Sequence, residues 1–188
     1  MANTGDIRNI VLLGHGGSGK TSLAEAILHK AGATSRLGSV DDKTSICDFY
    51  DEEKEHQHSI QSALVHAEHA GKLINIIDTP GYPDFIGPAI RAIPAGETAV
   101  LVISASAGIE TNTRKMAELT AGIDMPRIIV INKMDAENVI FAELIKNIQE
   151  TFGPQCRCAN LPAADKASVI DCIENNGGES PLMDVAQA

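Results

Sequence analysis

The segment Gly14–Thr21 is rich in glycine and ends in a lysine and a threonine, residue types that together can bind a phosphate chain. It consists of Gly14, His15, Gly16, Gly17, Ser18, Gly19, Lys20 and Thr21, which match the pattern G-x-x-x-x-G-K-[ST] in full. Glycines allow successive backbone N–H groups to turn towards one anion, and the Lys20 ammonium adds a charge for the β- and γ-phosphates. The Thr21 hydroxyl is placed to ligate Mg²⁺. The segment therefore predicts a nucleoside triphosphate site in which Lys20 both binds and catalyses, without indicating the base.

A second group of candidate residues, Asp78, Thr79, Pro80 and Gly81, follows the apolar run Leu73–Ile77. An aspartate at the carboxyl end of such a strand can hold Mg²⁺ through water, and the N–H of Gly81 can reach a γ-phosphate. An Asp-Thr-Pro-Gly sequence is also an ordinary turn. Because this one ends a long apolar run, we predict that all four residues bind nucleotide, that Asp78 binds the metal and that Gly81 assists catalysis.

Asn132, Lys133, Met134 and Asp135 form a third group, after the apolar run Arg127–Ile131. The Asp135 carboxylate can accept hydrogen bonds from N1–H and the exocyclic amine of guanine, a donor pair that adenine lacks. Asn132 can bind the base or the phosphate loop, and the aliphatic stem of Lys133 can cover the base plane. The three groups in this order predict a site for GTP and GDP. An ATP site is the alternative, and Asp135 argues against it.

Strand-like and helix-like patterns alternate along the chain, which is typical of a mostly parallel sheet covered by helices. The patterns predict strands at Ile10–Leu13, Ser59–Glu68, Leu73–Ile77, Ala99–Ile103 and Arg127–Ile131, and helices at Lys20–Ala31, Thr111–Ala121 and Ala136–Thr151. A turn at Ala70-Gly71-Lys72 predicts an antiparallel hairpin between the second and third strands. The predicted fold is therefore α/β, a P-loop NTPase with a three-layer, mostly parallel sheet, helices on both faces and one antiparallel hairpin strand. The polar connection Gly38–His58 is long enough to predict a functional lid or a disordered loop.

The composition argues against several classes of protein. The 188 residues include 25 acidic residues against 15 lysines and arginines, a net charge of −10, so this chain is a poor candidate for binding nucleic acid by itself. No apolar run approaches the roughly 18 residues of a membrane-spanning helix, and the N-terminus shows no secretion signal. The four cysteines are too irregularly spaced to indicate a disulfide framework. We therefore predict a cytoplasmic chain without a membrane partner.

The three groups of residues resemble those of the translational GTPases, and most closely those of the G domain of elongation factor G. Gly38–Asp42 and Asp48–Glu55 are similar to the family's segment leading into switch I, and Asp78–Phe85 is similar to its switch II. Arg91 and Ser106–Glu110 also fit the family, so the resemblance extends over about residues 7–165. It implies a Mg²⁺-dependent GTPase switch and, in the whole protein, work on the ribosome.

Two switch positions differ from the family in ways that bear on catalysis. Switch I of the family usually ends R-G-I-T, with the threonine on Mg²⁺, and here Ser59 ends the corresponding segment and keeps a hydroxyl for the metal. Tyr82 stands where the family typically has a histidine that orients the attacking water, and a phenol, unlike an imidazole, does not become a cation. Tyr82 is therefore the predicted catalytic residue of a slow or differently activated GTPase, which resembles a paralogue of the main translocase. The alternative is a guanine-nucleotide-binding regulatory module with little or no GTPase activity.

The family has a further guanine-contacting turn, Ser-Ala-[Leu/Phe], and no such turn follows Asp135 in this sequence. Leu161–Pro162 and Val169–Asp171 instead resemble the start of the subdomain that the family inserts before that turn. We therefore predict a G domain over residues 1–152, and an incomplete inserted subdomain with a flexible end (Asn175–Ala188) over residues 153–188. The sequence is expected to be a fragment of a longer factor, whose other domains would contact the ribosome.

Overall fold

The computed structural model describes residues 3–163 and 168–173, so the predicted flexible end Asn175–Ala188 lies outside the described residues. The chain divides into two compact units. The first comprises Met1–Ser104 and Glu110–Asn132, and the second comprises Ala105–Ile109 and Lys133–Ala188. No helix of the described residues is long and apolar enough to cross a membrane.

A five-stranded sheet forms the centre of the first unit. Its strands are β1 (Ile7–Leu13), β2 (Ala63–His69), β3 (Lys72–Asp78), β4 (Thr98–Ser104) and β5 (Arg127–Asn132), in the spatial order β2-β3-β1-β4-β5. β1 is parallel to β3 and β4, and β4 is parallel to β5, whereas β2 pairs with β3 as the predicted antiparallel hairpin. The parallel strands therefore end at one edge of the sheet, where Asp78 is in register with Leu12 and Asn132 with Ser104.

The helices of the first unit cover this sheet. They are α1 (Lys20–Lys30), α2 (Asp51–His56), α3 (Ile86–Ala92) and α4 (Thr111–Ala121). α1 packs against β2 and β3, and α4 packs against β4. The structure starts α1 and α4 at the residues that the periodicity predicted. α2 and α3 were not predicted, because helices of six and seven residues are too short to show a clear period.

Both faces of the sheet are buried at the central strands β1 and β4, where consecutive residues point in opposite directions and are both shielded. One face packs in a core of Leu12, Ala24, Cys47, Ala63, Ile76, Val100 and Val102. On the other face the buried residues of β1 and β4 are Val11, Leu13, Ala99, Leu101 and Ile103. Near-continuous burial along the central strands is characteristic of a parallel sheet between two helical layers, and it confirms the predicted fold class.

The polar connection Gly38–His58 is folded, so the structure does not support the disordered alternative. α2 occupies its C-terminal part, and Cys47, Asp48 and Glu53 are buried in it. β2 starts at Ala63 instead of the predicted Ser59, because the backbone N–H groups of Ile60 and Gln61 donate to the Glu53 carboxylate.

The second unit contains α5 (Phe141–Phe152) and an antiparallel pair of strands, β6 (Asn160–Pro162) and β7 (Val169–Asp171). α5 starts later than the predicted Ala136 because residues 134–138 form turns, with a positive φ at Asn138. The spacing predicts one apolar face of Ile140, Leu144, Ile145 and Ile148. The last three are buried, whereas Ile140 precedes the helix and is exposed. β6 and β7 have three residues each and are too short to show strand alternation, so the pattern did not predict them.

Candidate functional site

The phosphate loop Gly14–Thr21 connects the end of β1 to the start of α1. Gly14, Gly17 and Gly19 have φ values of 146°, 78° and 92°, which residues other than glycine rarely adopt. A Cβ on Gly14 would also collide with the carbonyl oxygen of Val102. The sequence therefore folds locally as predicted, into a tight loop followed directly by a helix N-terminus.

The Lys20 side chain curls back over this loop. Its Nζ donates to the carbonyl oxygens of Gly14 and His15 at 3.1 and 2.9 Å. Burial lowers the pKa of Lys20 to about 8, although the nearby Asp78 carboxylate acts in the opposite direction. A buried ammonium whose partners are neutral carbonyls is poised to interact with an anion, because a phosphate would offset the cost of burying the charge.

Gly81 packs directly against the phosphate loop and against the Lys20 side chain. A Cβ at Gly81 would collide with Lys20 Nζ and would lie 2.5 Å from the His15 carbonyl oxygen and 2.6 Å from Gly16 N. The Asn112 side-chain amide fixes this position by donating to the Gly81 carbonyl oxygen at 2.8 Å. The sequence reasoning missed Asn112, since a single asparagine in the first turn of a helix carries no distinctive signal.

Thr79 and Pro80 are buried beside the loop. The Thr79 hydroxyl donates to the Leu12 carbonyl oxygen at 2.6 Å. His15 is buried as well, and its Nδ1 lies 3.2 Å from Thr113 Oγ1 of α4. These side chains therefore brace the loop against β1 and α4.

The three predicted metal ligands come together at the start of α1. Thr21 Oγ1 donates to Asp78 Oδ2 at 2.6 Å and lies 3.3 Å from Ser59 Oγ. Ser59 Oγ donates to Asp48 Oδ1 at 2.8 Å, which adds a carboxylate that the sequence reasoning did not single out. Asp48 lies in a run of acidic residues with no pattern that marks one of them, so only the folded structure identifies it.

The donor atoms of this cluster suit a hard divalent cation. All of them are hydroxyl or carboxylate oxygens, the ligands that Mg²⁺ prefers. Asp78 Oδ1 is buried and accepts no hydrogen bond from the described residues. Burial raises the pKa of Asp78 to about 6, and burial likewise raises the pKa of Asp48. Thr21, Ser59 and Asp78 therefore fit the predicted Mg²⁺, which would compensate the buried carboxylates.

Two buried carboxylates hold the segment that carries Asp48 and Ser59. Glu25 of α1 is fully shielded, and its Oε1 accepts from Ser45 Oγ, Ile46 N and Cys47 N at 2.9, 2.5 and 3.2 Å. The three residues that precede Asp48 are therefore tied to α1. Glutamates on a helix are common, and only the tertiary structure shows that this one is buried.

Glu53 of α2 is the second carboxylate, and four backbone N–H groups donate to it. Its Oε2 accepts from Phe49 and Tyr50 at 3.1 Å each, next to Asp48. Its Oε1 accepts from Ile60 and Gln61 at 2.8 and 3.0 Å, next to Ser59. One side chain therefore fixes both backbone stretches that bring Asp48 and Ser59 together.

Of the predicted base-reading residues, Asn132 belongs to the first unit and Lys133, Met134 and Asp135 belong to the second. The Asn132 side-chain amide donates to the Ser18 carbonyl oxygen at 3.0 Å, and a Cβ on Gly19 would collide with that amide. Of the two roles expected for Asn132, the structure shows the contact with the phosphate loop. The roles of Lys133, Met134 and Asp135 stay predictions.

Comparison with known proteins places the chain in a family. It matches the family described as the elongation factor Tu GTP binding domain over residues 5–186. It is 37% identical over 161 residues to an elongation factor G-like protein of Mycobacterium tuberculosis, covering 86% of this chain and 22% of that protein. It is also 36% identical over 170 residues to the mitochondrial ribosome-releasing factor 2 of Mus musculus, covering 89% of this chain and 22% of the relative.

A solved structure shows the same fold. The crystal structure of a protein from Thermus thermophilus matches with a TM-score of 0.84 and 32% identity, over 89% of this chain and 26% of that one. The chain spans about a fifth of the length of the curated relatives named above. The chain therefore belongs to the elongation factor Tu GTP-binding domain family, in the form found in elongation factor G-like translation factors.

Proposed function

We propose that this chain binds GTP and GDP together with Mg²⁺ and hydrolyses GTP to GDP, as the switch of an elongation factor G-like translation factor. The observation that carries the proposal is the meeting of Thr21, Ser59 and Asp78 at the start of α1, beside the buried Lys20 ammonium. One end of the phosphate loop thus offers oxygen ligands for a cation and, in Lys20, a positive charge for a polyanion.

Each residue has a separate role in this proposal. Backbone N–H groups of the phosphate loop and the Lys20 ammonium bind the β- and γ-phosphates, and the Gly81 N–H donates to the γ-phosphate. Thr21, Ser59 and Asp78 hold Mg²⁺, which supplies positive charge against the phosphate oxygens when it is bound. Asp135 selects guanine by accepting hydrogen bonds from its N1–H and exocyclic amine.

Hydrolysis by this chain depends on how the attacking water is oriented. Tyr82 is the candidate, because its neighbour Gly81 packs against Lys20 and because Tyr82 itself is 45% exposed. A phenol hydroxyl orients water by hydrogen bonding alone, so we expect slow turnover. The second candidate is a regulatory guanine-nucleotide-binding module with little GTPase activity. The observation that favours it is again Tyr82, whose phenol orients water by hydrogen bonding alone.

Nucleotide binding is tested by titrating fluorescent GDP and a non-hydrolysable GTP analogue with and without Mg²⁺. We expect Lys20→Ala to weaken binding of both at least about 100-fold, because it removes the buried charge of the loop. Lys30→Ala, at the exposed end of the same helix, is the matched control. Equal binding by Lys20→Ala and the unchanged chain would contradict the proposal, and so would displacement of the label by ATP as readily as by GTP.

Hydrolysis is tested by phosphate release in a single turnover. We expect slow release by the unchanged chain and faster release by Tyr82→His, since an imidazole can accept or donate a proton near neutral pH. Release no faster than in buffer, with and without ribosomes, would favour the regulatory module.

For the whole protein we propose a cytoplasmic factor that works on the ribosome through domains beyond this G domain. The proposal rests on the relatives named above and on the acidity of this chain, which disfavours direct binding to RNA. Residues 1–152 would then be the G domain proper, and residues 153–188 the start of an inserted subdomain. Ribosome binding by a longer form, but not by this chain, is the expected result of a pelleting assay.

A further inference from the structure

Three aromatic rings meet between the segment that carries Ser59 and the turn that follows Gly81. The ring centroid of His58 lies 4.9 Å from that of Tyr82, with the planes at 57°. It lies 5.9 Å from that of Phe85, with the planes at 28°. We call His58, Tyr82 and Phe85 the aromatic clasp. Its rings join two segments that are 24 residues apart in the chain (82 − 58).

The Tyr82 ring also lies close to the phosphate loop. A Cβ built on Gly16 would lie 2.9 to 3.1 Å from three carbons of that ring. Such distances are shorter than ordinary carbon contacts, so the ring occupies space that only a glycine leaves open. Tyr82 therefore lies close to both Gly16 and His58.

The orientation of His58 is set by its own segment. Its backbone N–H donates to the Glu53 carbonyl oxygen at 3.2 Å, and its Nδ1 lies 3.0 Å from the His56 carbonyl oxygen. A carbonyl oxygen accepts only, so Nδ1 carries the proton in this contact. The Nδ1 contact holds the imidazole to its own segment, and the backbone bond holds His58 to α2. Movement of Tyr82 therefore does not reorient the His58 ring.

We propose that His58 is a positioning residue that couples the two switch segments through Tyr82, so that the aromatic clasp helps the site to distinguish GTP from GDP. The inference rests on the proposed function. Ser59 follows His58 and Gly81 precedes Tyr82, so the proposed metal ligand and the proposed γ-phosphate donor are each attached to one half of the clasp. A γ-phosphate that holds Gly81 therefore also favours the position of Ser59, whereas GDP lacks that group.

The test compares affinities for a non-hydrolysable GTP analogue and for GDP, both with Mg²⁺. We expect His58→Ala to lower the analogue-to-GDP affinity ratio about two- to ten-fold, the range for losing one aromatic contact, while the GDP affinity stays unchanged. His58→Phe, which keeps a ring, should retain the ratio. His66→Ala, on the exposed face of the edge strand β2, is the matched control. In a Tyr82→Leu background, His58→Ala should have no further effect on the ratio.

An unchanged ratio in His58→Ala, or additive effects of His58→Ala and Tyr82→Leu, would overturn the coupling. An equal loss of affinity for GDP and the analogue would also overturn it, because that result indicates a merely structural role. If the unchanged chain bound no guanine nucleotide, the proposed function would fail and the coupling with it. Normal GDP binding combined with an unchanged ratio would remove the coupling alone.

Discussion

Replacing Glu53 with glutamine should release the segment that carries Asp48 and Ser59. Four backbone N–H groups donate to the two carboxylate oxygens of Glu53, at distances of 2.8 to 3.1 Å. Glutamine keeps one acceptor oxygen and presents an NH₂ group, which cannot accept, in place of the other. Two of the four N–H groups therefore lose their partner, and the other two keep a neutral one.

The cost of this change can be worked out from the bonds. A hydrogen bond to a charged group contributes about 1.5–3 kcal/mol, so two lost bonds cost about 3–6 kcal/mol. These four bonds lie outside the strands of the sheet, and we therefore expect the segment to open locally before the whole unit unfolds. A cost of about 3 kcal/mol corresponds to an opening equilibrium shifted by about 100-fold.

The assay is amide hydrogen exchange measured by mass spectrometry on the protein without nucleotide. In Glu53→Gln we expect exchange of the amides of Phe49, Tyr50, Ile60 and Gln61 to accelerate by about 100-fold or more, while the amides of β1 and β4 keep their protection. Glu52→Gln is the matched control, because it removes the same charge from an exposed neighbour on α2. Unchanged protection in Glu53→Gln, or equal acceleration in Glu52→Gln, would refute the reasoning.

Three further predictions follow from the backbone, a buried thiol and a buried carboxylate. Ala70 has a φ of 49° in the two-residue turn of the β2–β3 hairpin, so Ala70→Asn should stabilise the protein by about 0.5–1 kcal/mol in urea unfolding, and a lower midpoint would contradict this. Burial raises the pKa of the Cys47 thiol far above its ordinary value, so iodoacetamide should modify Cys156, Cys158 and Cys172 in the folded protein well before Cys47, as read by peptide mass spectrometry. Because burial raises the pKa of Asp78 from 3.8 to about 6, the cost of ionising it is absent below pH 4 and complete above about pH 6. In metal-free and nucleotide-free buffer, Asp78→Asn should therefore stabilise the protein by up to about 3 kcal/mol at pH 7.5 and very little at pH 4, and an equal effect at both pH values would contradict the assignment.

The strand cores and the positions of the three motifs could be predicted because each depends on neighbours in the chain. Ile10–Leu13, Leu73–Ile77 and Ala99–Ile103 are apolar runs that lie inside β1, β3 and β4. The parallel sheet then brings the ends of these strands to one edge, which places Asp78 near the loop after β1. Strand ends were less predictable. Ile7 belongs to β1 and Lys72 to β3 because they pair with residues of neighbouring strands, and the apolar runs do not include them.

The acidic segment before β2 shows the limit of this reasoning. Its length and polarity led to the expectation of a functional lid or a disordered loop. The structure buries Asp48 and Glu53 and leaves Asp51 and Glu52 exposed. The spacing of these acidic residues in the sequence does not predict which of them are buried. Burial of Glu53 is possible because it accepts backbone N–H groups from both sides of α2, and that arrangement exists only once the segment is closed.

The sequence by itself determined the chemistry of the phosphate loop, because glycine conformations and the strand–loop–helix order are local properties. It also determined the type of sheet, through the apolar runs and the hairpin turn at Ala70. Only the tertiary structure decided that Asp48 joins the predicted metal ligands, why Glu25 and Glu53 are buried, and that His58 lies against Tyr82. These contacts join residues far apart in the chain, and their energy depends on distance and burial, which no local pattern of residue types records.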